Sequence, residues 1–162
     1  MFENFFGNLT LEAFEHDFLQ NMAVLGGMVN GLAVVLLITY FKKWRWLWNE
    51  WITTVDPKRI GVMYIAVVVI MFAKGFADAI LMRMQQAYAG APGEGLLQSG
   101  HFQEIFSAHG TTMIFFVAMG FIFAVMNLII PLQIGARDVA FPFLNALGFW
   151  LFAAGAMLTL IS

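Results

Sequence analysis

Cysteine is absent from all 162 residues, so the chain can form no disulfide bond, no thiolate metal site and no cysteine nucleophile. Charge is scarce as well, because Asp, Glu, Lys and Arg make up only 11% of the residues. The formal net charge of −2 gives no sign of nucleic-acid binding, and we expect no nucleic-acid partner. By contrast, 61% of the residues are hydrophobic, which predicts lipid as the main surroundings of this chain.

Long apolar stretches account for most of the chain. A helix needs about 20 mainly apolar residues to cross the hydrocarbon core of a bilayer. The stretches that reach this length are 22–41, 61–84, 105–132 and 139–161. The sequence therefore predicts an all-α integral membrane protein of about four transmembrane helices, forming one transmembrane domain over 1–162. Because it stops directly after an apolar span, we expect it to be a fragment of a longer subunit.

Basic residues predict how these helices are oriented. Six of the eight Lys and Arg residues fall in the loops on one side of the four-helix arrangement: Lys42, Lys43, Arg45, Lys58, Arg59 and Arg137. The positive-inside rule makes that side cytoplasmic, so the N-terminus is expected to face outward. Arg83 lies near the outer end of the second span, where its long side chain can reach lipid headgroups.

Two ionisable residues interrupt the second predicted span. Lys74 and Asp78 are four residues apart, so an α-helix places them on one face, where they can pair. Counted from Gly61 at about 1.5 Å per residue, Lys74 lies about 20 Å into the span, in the outer half of the bilayer. Ionisable residues inside a membrane are costly and most often functional, which makes this pair a candidate site. An ion pair that only holds two helices together is the alternative.

Three further ionisable residues lie near the external end of the third predicted span. His109 is flanked by Ala108 and Gly110, which leave room beside the imidazole for a flat macrocycle, and histidine is a common axial ligand of haem iron. A hydrogen bond inside the bundle is the alternative for this histidine. His101 and Glu104 lie at the mouth of the same span, where they can accept a proton or form a solvated helix start.

Polar residues also flank the turn between the third and fourth predicted spans, on the cytoplasmic side. Asn127, Asp138 and Asn145 can gather around one aqueous entrance, which suits proton uptake. The alternative for Asp138 is an ion pair with Arg137 or a cap on the next helix, the commonest role of an aspartate at a helix start.

Two longer motifs resemble the main subunit, subunit I, of the haem-copper oxidases. Residues 108–116 read AHGTTMIFF, and residues 131–142 read PLQIGARDVAFP. The segments 75–80, GFADAI, and 82–86, MRMQQ, narrow the likeness to the cytochrome bo-type ubiquinol oxidases, as does the extra helix before Lys42. The resemblance covers nearly the whole chain but only the N-terminal part of the family's helical bundle.

The resemblance implies a share in ubiquinol oxidation, in electron transfer through a low-spin haem toward an oxygen-reducing haem-copper centre, and in proton translocation. His109 would be one axial ligand of the low-spin haem b. The ubiquinone or ubiquinol site would contain Lys74, Asp78, His101 and Glu104. The proton-uptake path would contain Asn127, Asp138 and Asn145. Lys74 stands where the subfamily carries arginine, and lysine lacks the planar fork of a guanidinium; Glu104 stands where the subfamily carries glutamine.

Three histidines are too few for the remaining ligands of such an enzyme. The high-spin haem and the copper would belong only to the complete subunit, so this chain alone cannot reduce oxygen. The implied partners are the lipid bilayer, the remainder of subunit I, other oxidase subunits and ubiquinol. The implied location is the bacterial cytoplasmic (inner) membrane, with several passes and a periplasmic N-terminus.

Two other functions are open at this point. One is a cytochrome c oxidase subunit I fragment, in which the face that carries Lys74 and Asp78 is structural. The other is a non-redox membrane transporter or assembly subunit that uses these two residues as a relay.

Overall fold

The computed structural model describes residues 18–88, 95–97 and 99–161, and every regular element in these ranges is a helix. The α-helices are α1 (Phe18–Tyr40), α2 (Trp44–Leu47), α3 (Pro57–Tyr88), α4 (Ser99–Thr111), α5 (Met119–Gln133) and α6 (Pro142–Ile161). A π-helical turn, Trp48–Ile52, follows α2, and a second one, Thr112–Ala118, joins α4 to α5 and is called the π segment below. The predicted all-α class is confirmed.

Three of these helical runs are long and apolar enough to cross a membrane, as far as the described residues go: Pro57–Tyr88, Gly100–Gln133 and Pro142–Leu160. They confirm the second, third and fourth predicted spans. The last predicted span, about 139–161, falls on α6, which begins at Pro142, whose fixed φ and missing N–H suit the first position of a helix. The first predicted span falls on α1, which contains the shorter apolar stretch Gly31–Tyr40, so the count of four is approximate.

Contacts divide the chain between Trp48 and Asn49 into two units, each described here by itself. In the first unit, α1 ends at a left-handed residue, Lys42, whose φ is 52°. The Lys42 N–H donates to the Thr39 carbonyl at 3.1 Å, and the Lys43 N–H donates to the Ile38 carbonyl at 3.0 Å, as in a Schellman motif. The Trp44 indole then donates to the Thr39 hydroxyl at 3.0 Å. These bonds end α1 before the basic, tryptophan-rich segment.

In the second unit, α3 runs antiparallel to the continuous run of α4, the π segment and α5. Close approach depends on glycines, since a Cβ added at Gly120 would lie 2.8 Å from Val68 of α3 and 2.7 Å from Phe152 of α6. Membrane helices gain little from the hydrophobic effect among themselves, so small residues that allow tight packing are the usual means of association.

The core of this unit lies where α3, α5 and α6 meet. It contains Ile60, Tyr64, Ala124 and Phe149. The Tyr64 ring packs edge-on against Phe149 with ring centroids 5.0 Å apart, an arrangement that aromatic quadrupoles favour. This contact joins α3 to α6 and keeps the two helices in register.

The end of α5 fixes where the turn between α5 and α6 begins. Gly135 is left-handed, with φ 66°, and its N–H donates to the Leu132 carbonyl at 3.3 Å. The Ala136 N–H donates to the Pro131 carbonyl at 2.9 Å, which completes a Schellman motif. A residue with a Cβ would be strained at Gly135, so this glycine places the chain for Asp138.

Candidate functional site

The buried face of α3 continues from the core to the two ionisable residues. The buried residues of α3 recur every three or four positions: Pro57, Ile60, Gly61, Tyr64, Val68, Met71 and Gly75. Asp78 follows Gly75 by three residues and so extends the same stripe. Its side chain is only 14% exposed, which is low for a carboxylate.

Lys74 and Asp78 form the ion pair that their spacing predicts. The Lys74 Nζ donates to Asp78 Oδ2 at 2.7 Å, and the lysine side chain is 22% exposed. An ammonium has three donors and an ionised carboxylate has two acceptor oxygens, so neither group is saturated by this bond. The pair can therefore bind a further polar molecule through the second carboxylate oxygen and the remaining ammonium protons.

His109 is held by the backbone of α3. Its Nδ1 lies 2.9 Å from the Gly75 carbonyl oxygen, and because a carbonyl can only accept, Nδ1 must donate. In the neutral imidazole, Nε2 then carries the lone pair. The hydrogen bond inside the bundle, which was the predicted alternative, is thus present. The same bond also leaves Nε2 in the state found in metal-ligating histidines, because the other ring nitrogen of such histidines usually donates to a carbonyl or carboxylate.

Glycines open space around this histidine. A Cβ added at Gly75 would lie 2.7 Å from the Met113 sulfur, so the absence of a side chain there lets the π segment approach α3. A Cβ added at Gly110 would have no heavy atom within 4 Å in the described part of the chain. The described residues therefore leave the Gly110 side of the helix unfilled, and the predicted room for a macrocycle there stays a prediction.

His101 lies on the same face of α4 as His109, because the two residues and the buried Ile105 between them are spaced by four. Its Nε2 is buried and has no hydrogen-bond partner among the described residues. At about 1.5 Å per residue, Asp78 lies about 5 Å beyond Gly75 and His101 about 12 Å beyond His109, both toward the α3–α4 loop. The antiparallel contact thus brings Asp78 and His101 to within about 7 Å along the axis.

Glu104 differs from its neighbours. Its side chain is exposed, and within the described ranges it has no hydrogen bond or ion pair. The structure brings Lys74, Asp78 and His101 onto two facing helix surfaces, whereas Glu104 lies at their edge.

Arg83 lies one to two turns beyond Asp78 and is exposed. Its guanidinium donates to the Gln86 side-chain oxygen over 3.4 Å, a long and weak bond. An apolar surface groove surrounds it, lined by Phe76, Ala79, Ile80, Met84, Ala87 and Tyr88. A cation at the end of an apolar groove is compatible with the predicted headgroup contact.

Two polar residues of this region escape the sequence-based prediction. Gln85 binds the peptide of Leu97 at two points: the Leu97 N–H donates to Oε1 at 2.8 Å, and Nε2 donates to the Leu97 carbonyl at 3.2 Å. The spacing of seven between Asp78 and Gln85, two helical turns, was a usable signal. Thr112, the first residue of the π segment, is fully buried and its hydroxyl has no partner among the described residues. No hydropathy signal distinguishes it.

Asn127 and Asn145 come together near the turn between α5 and α6. The Asn145 Nδ2 donates to Asn127 Oδ1 at 2.6 Å, and Asn127 Nδ2 donates to the Phe123 carbonyl at 2.9 Å. Asn127 is 8% exposed, so the pair forms a polar link inside the contact between α5 and α6. Pro131 lacks the N–H that would donate to the Asn127 carbonyl, which adds a further polar group there.

Asp138 lies apart from this link, at the surface. Its carboxylate accepts the Val139 N–H at 2.8 Å, four residues before the start of α6, so the predicted helix cap is wrong. Within the described residues it also makes no ion pair with Arg137. It lines an open cleft of about 390 Å³ together with Val55, Asp56, Pro57, Lys58 and Arg137. Asp56 caps α3 there, accepting the Lys58 N–H at 2.9 Å.

No group of three or more His, Asp or Glu side chains that could hold a metal ion occurs in the part of the chain that the structure describes.

Comparison with known proteins agrees with this arrangement. The family model described as cytochrome c and quinol oxidase polypeptide I matches residues 59–162, well over half of the chain. The chain belongs to this family. The predicted relationship to the haem-copper oxidase main subunit is confirmed, and the matched region contains every site residue that the sequence predicts.

Similar proteins extend the match toward the N-terminus. The chain is 52% identical over 143 residues to quinol oxidase subunit 1 of Bacillus subtilis, covering 86% of this chain and 22% of that protein. It is 51% identical over 158 residues to cytochrome bo(3) ubiquinol oxidase subunit 1 of Buchnera aphidicola from Schizaphis graminum, covering 97% and 24%. It is 54% identical over 138 residues to ubiquinol oxidase subunit 1 of Acetobacter aceti, covering 85% and 21%.

The chain therefore spans between a fifth and a quarter of the length of these relatives. All three come from bacteria, and the long apolar helices of this chain agree with a bacterial membrane protein.

Proposed function

We propose that this chain forms the quinol-oxidising and electron-entry part of a terminal oxidase subunit I. The observation that carries the proposal is the partly buried Lys74–Asp78 pair on α3, the helix whose Gly75 carbonyl binds His109. Three relatives named as quinol or ubiquinol oxidase subunits support quinol as the electron donor. No observation favours the cytochrome c oxidase or transporter alternatives.

Oxidation of one quinol to a quinone releases two electrons and two protons. In the proposed site, the free oxygen of Asp78 accepts a hydrogen bond, and then a proton, from a quinol hydroxyl. Lys74 holds Asp78 Oδ2 and donates to a quinol oxygen with its remaining protons. The Nε2 of His101 is buried and has no partner among the described residues, so it is the hydrogen-bonding group for the second quinol hydroxyl. Glu104 accepts protons at the exposed edge and passes them outward.

The residues around His109 fit an axial haem ligand. The bond from Nδ1 to Gly75 orients the ring and leaves Nε2 as the ligating atom, while Gly110 keeps one side of the ring open. Low-spin haem b, when bound, supplies the one-electron acceptor. A further haem ligand, the high-spin haem and the copper would come from the remainder of the subunit.

On the other side of the membrane, Asp138 in its cleft collects protons, and Asn127 and Asn145 continue the polar path inward. Arg83 binds a lipid headgroup at the outer surface. The positive-inside rule gives the matching orientation, with a periplasmic N-terminus in the bacterial inner membrane. Residues 1–17 lie outside the described residues, so this orientation rests on the loop charges.

The experiment compares electron donors for the assembled oxidase that contains the full-length subunit. We expect oxygen uptake with a short-chain ubiquinol and none with reduced cytochrome c. Asp78→Asn should lower kcat/KM for quinol by about 100-fold, the usual size of a lost proton acceptor, while the haem b absorbance band stays intact. Loss of the band, or oxidation of cytochrome c but not of quinol by the wild type, would refute the proposal.

Glu50→Gln is the matched control for this substitution. It also neutralises a carboxylate in an ion pair, here with Arg59, but both partners are more than 40% exposed. Exposed pairs contribute about 0–1 kcal/mol, so the control should retain both quinol oxidation and the haem band.

A further inference from the structure

The polar contacts between α3 and α4 bracket the candidate quinol site. At one end, the Gly75 carbonyl binds His109 at 2.9 Å. At the other end, Gln85 of α3 binds the peptide of Leu97, two residues before α4 begins. Asp78 lies between Gly75 and Gln85 on α3, and His101 lies between Leu97 and His109.

Both helix surfaces have a regular spacing that turns these residues toward each other. On α3, the positions 75, 78, 82 and 85 follow each other by three or four residues, and on the partner segment, which consists of Leu97 and α4, the helical positions 101, 105 and 109 follow by four. Leu97 is 8% exposed and Ile105 is 7% exposed, so this line of the partner segment is buried on both sides of His101.

The contact at Gln85 depends on a side-chain amide. Leu97 is buried outside any helix, so both of its peptide groups need partners. A glutamine offers one acceptor and two donors, and it satisfies the N–H and the C=O of the same residue. Gly95 lies directly against the same amide, since a Cβ at Gly95 would overlap the Gln85 Nε2. The loop backbone is thus fitted to this one side chain.

We propose that Gln85 is a positioning residue of the quinol site, which holds the start of α4 so that His101 faces Asp78. Gln85 acts through Leu97 and does not touch the substrate. The proposal rests on the proposed function, because it assigns Gln85 to the site where quinol is oxidised. Loss of the contact moves His101 relative to Asp78 but leaves the bond between His109 and Gly75 in place.

The test uses the assembled oxidase with Gln85→Glu, which keeps the size of the side chain but replaces its donor by an acceptor that faces the Leu97 carbonyl. We expect the KM for ubiquinol to rise at least about fivefold, the equivalent of about one lost hydrogen bond. The haem b band, and the rate with an artificial reductant that bypasses the quinol site, should stay at wild-type values. A general loss of packing would instead change the KM, the haem b band and the rate with the artificial reductant together.

Gln86→Glu is the matched control, because it is the same change one residue further on, at an exposed side chain that only accepts from Arg83. It should leave the KM unchanged. Gly95→Ala perturbs the same contact from the loop side and should raise the KM as Gln85→Glu does.

Equal KM values for Gln85→Glu, Gly95→Ala and Gln86→Glu would overturn the inference, and so would loss of the haem band in the first two variants. A wild-type oxidase that does not oxidise quinol at all would instead defeat the proposed function. The two failures are therefore distinguishable.

Discussion

Asn145 of α6 donates to the side-chain oxygen of Asn127 of α5 across 2.6 Å. The contact lies where Asn127 is only 8% exposed, so water cannot readily replace either partner. A buried polar group that loses its partner pays the full cost of its desolvation, whereas two matched polar groups stabilise each other. We therefore expect the two asparagine side chains to stabilise each other, whether or not they take part in proton uptake.

A double-mutant cycle measures this coupling. Asn145→Leu leaves Asn127 Oδ1 without its donor, and we expect the free energy of unfolding to fall by about 1–3 kcal/mol. Replacing both residues by leucine removes the unpaired group, so the double variant should be at least about 1 kcal/mol more stable than the sum of the single changes predicts. Denaturation of the full-length subunit in detergent gives these energies. Additive effects would show that the two side chains do not interact.

Substitutions at the Lys74–Asp78 pair can distinguish a structural role of this pair from a functional one. Lys74→Met leaves a carboxylate at 14% exposure without its partner and should destabilise the subunit by up to about 3 kcal/mol. Adding Asp78→Leu removes that charge and should restore most of the thermal stability, because a buried pair can often be replaced by apolar residues. Quinol oxidation should stay lost in the double variant. Recovery of both stability and activity would show that the pair only holds helices together.

The complementary change replaces Lys74 by arginine, the residue that the family resemblance implies at this position. Lys74→Arg keeps the charge next to Asp78 and adds a planar fork of donors. We expect this variant to retain quinol oxidation, with a KM equal to or below that of the wild type, measured as oxygen uptake against ubiquinol concentration. A KM raised tenfold would indicate that the site is built around the compact ammonium.

Features that depend on local spacing could be predicted from the sequence. The ion pair between Lys74 and Asp78 follows from a separation of four residues on one helix, and the long spans follow from hydropathy alone. The start of the last span could not be placed in this way, because residues 139–141 are apolar enough to extend the span but Pro142 begins the helix.

Features that depend on contacts between helices could not be predicted. The two bonds from Gln85 to Leu97 join residues 12 apart across a loop, and nothing in either local sequence requires them. The π segment likewise lies inside one continuous helical run, and hydropathy has no feature that marks a change from α to π geometry. Asp138 resembled a helix cap because caps are recognised by residue type, whereas its actual place depends on the turn at Gly135.

The open space beside His109 can be tested by filling it. Gly110→Val places a branched side chain where no heavy atom lies within 4 Å of the added Cβ, as far as the described residues go. The variant should fold but lose most of its haem b absorbance, measured as the ratio of haem to protein in the purified subunit. Gly100→Val is the control, since it is the same change in the same helix, also without close neighbours. Equal haem content in both variants would place the haem elsewhere.

Two glycines of α3 should differ in their tolerance of alanine because of what their Cβ atoms would meet. At Gly61 the new atom would lie 2.8 Å from the branched Cγ of Leu128 and 3.1 Å from the Ala124 carbonyl oxygen, which is backbone. At Gly75 it would lie 2.7 Å from the Met113 sulfur, near the end of a flexible side chain that can move away.

Overpacking at a rigid contact destabilises by about 1–3 kcal/mol, so Gly61→Ala should lower the thermal midpoint of the subunit clearly. Gly75→Ala should lower it by less than half as much, and in a Met113→Ala background Gly75→Ala should lower it no further. The haem b band then reports whether the bond between His109 and the Gly75 carbonyl survives, because that bond uses backbone and is kept if only Met113 moves. If Gly75→Ala is the more damaging change, the approach of the π segment to α3 is fixed by more than the methionine side chain.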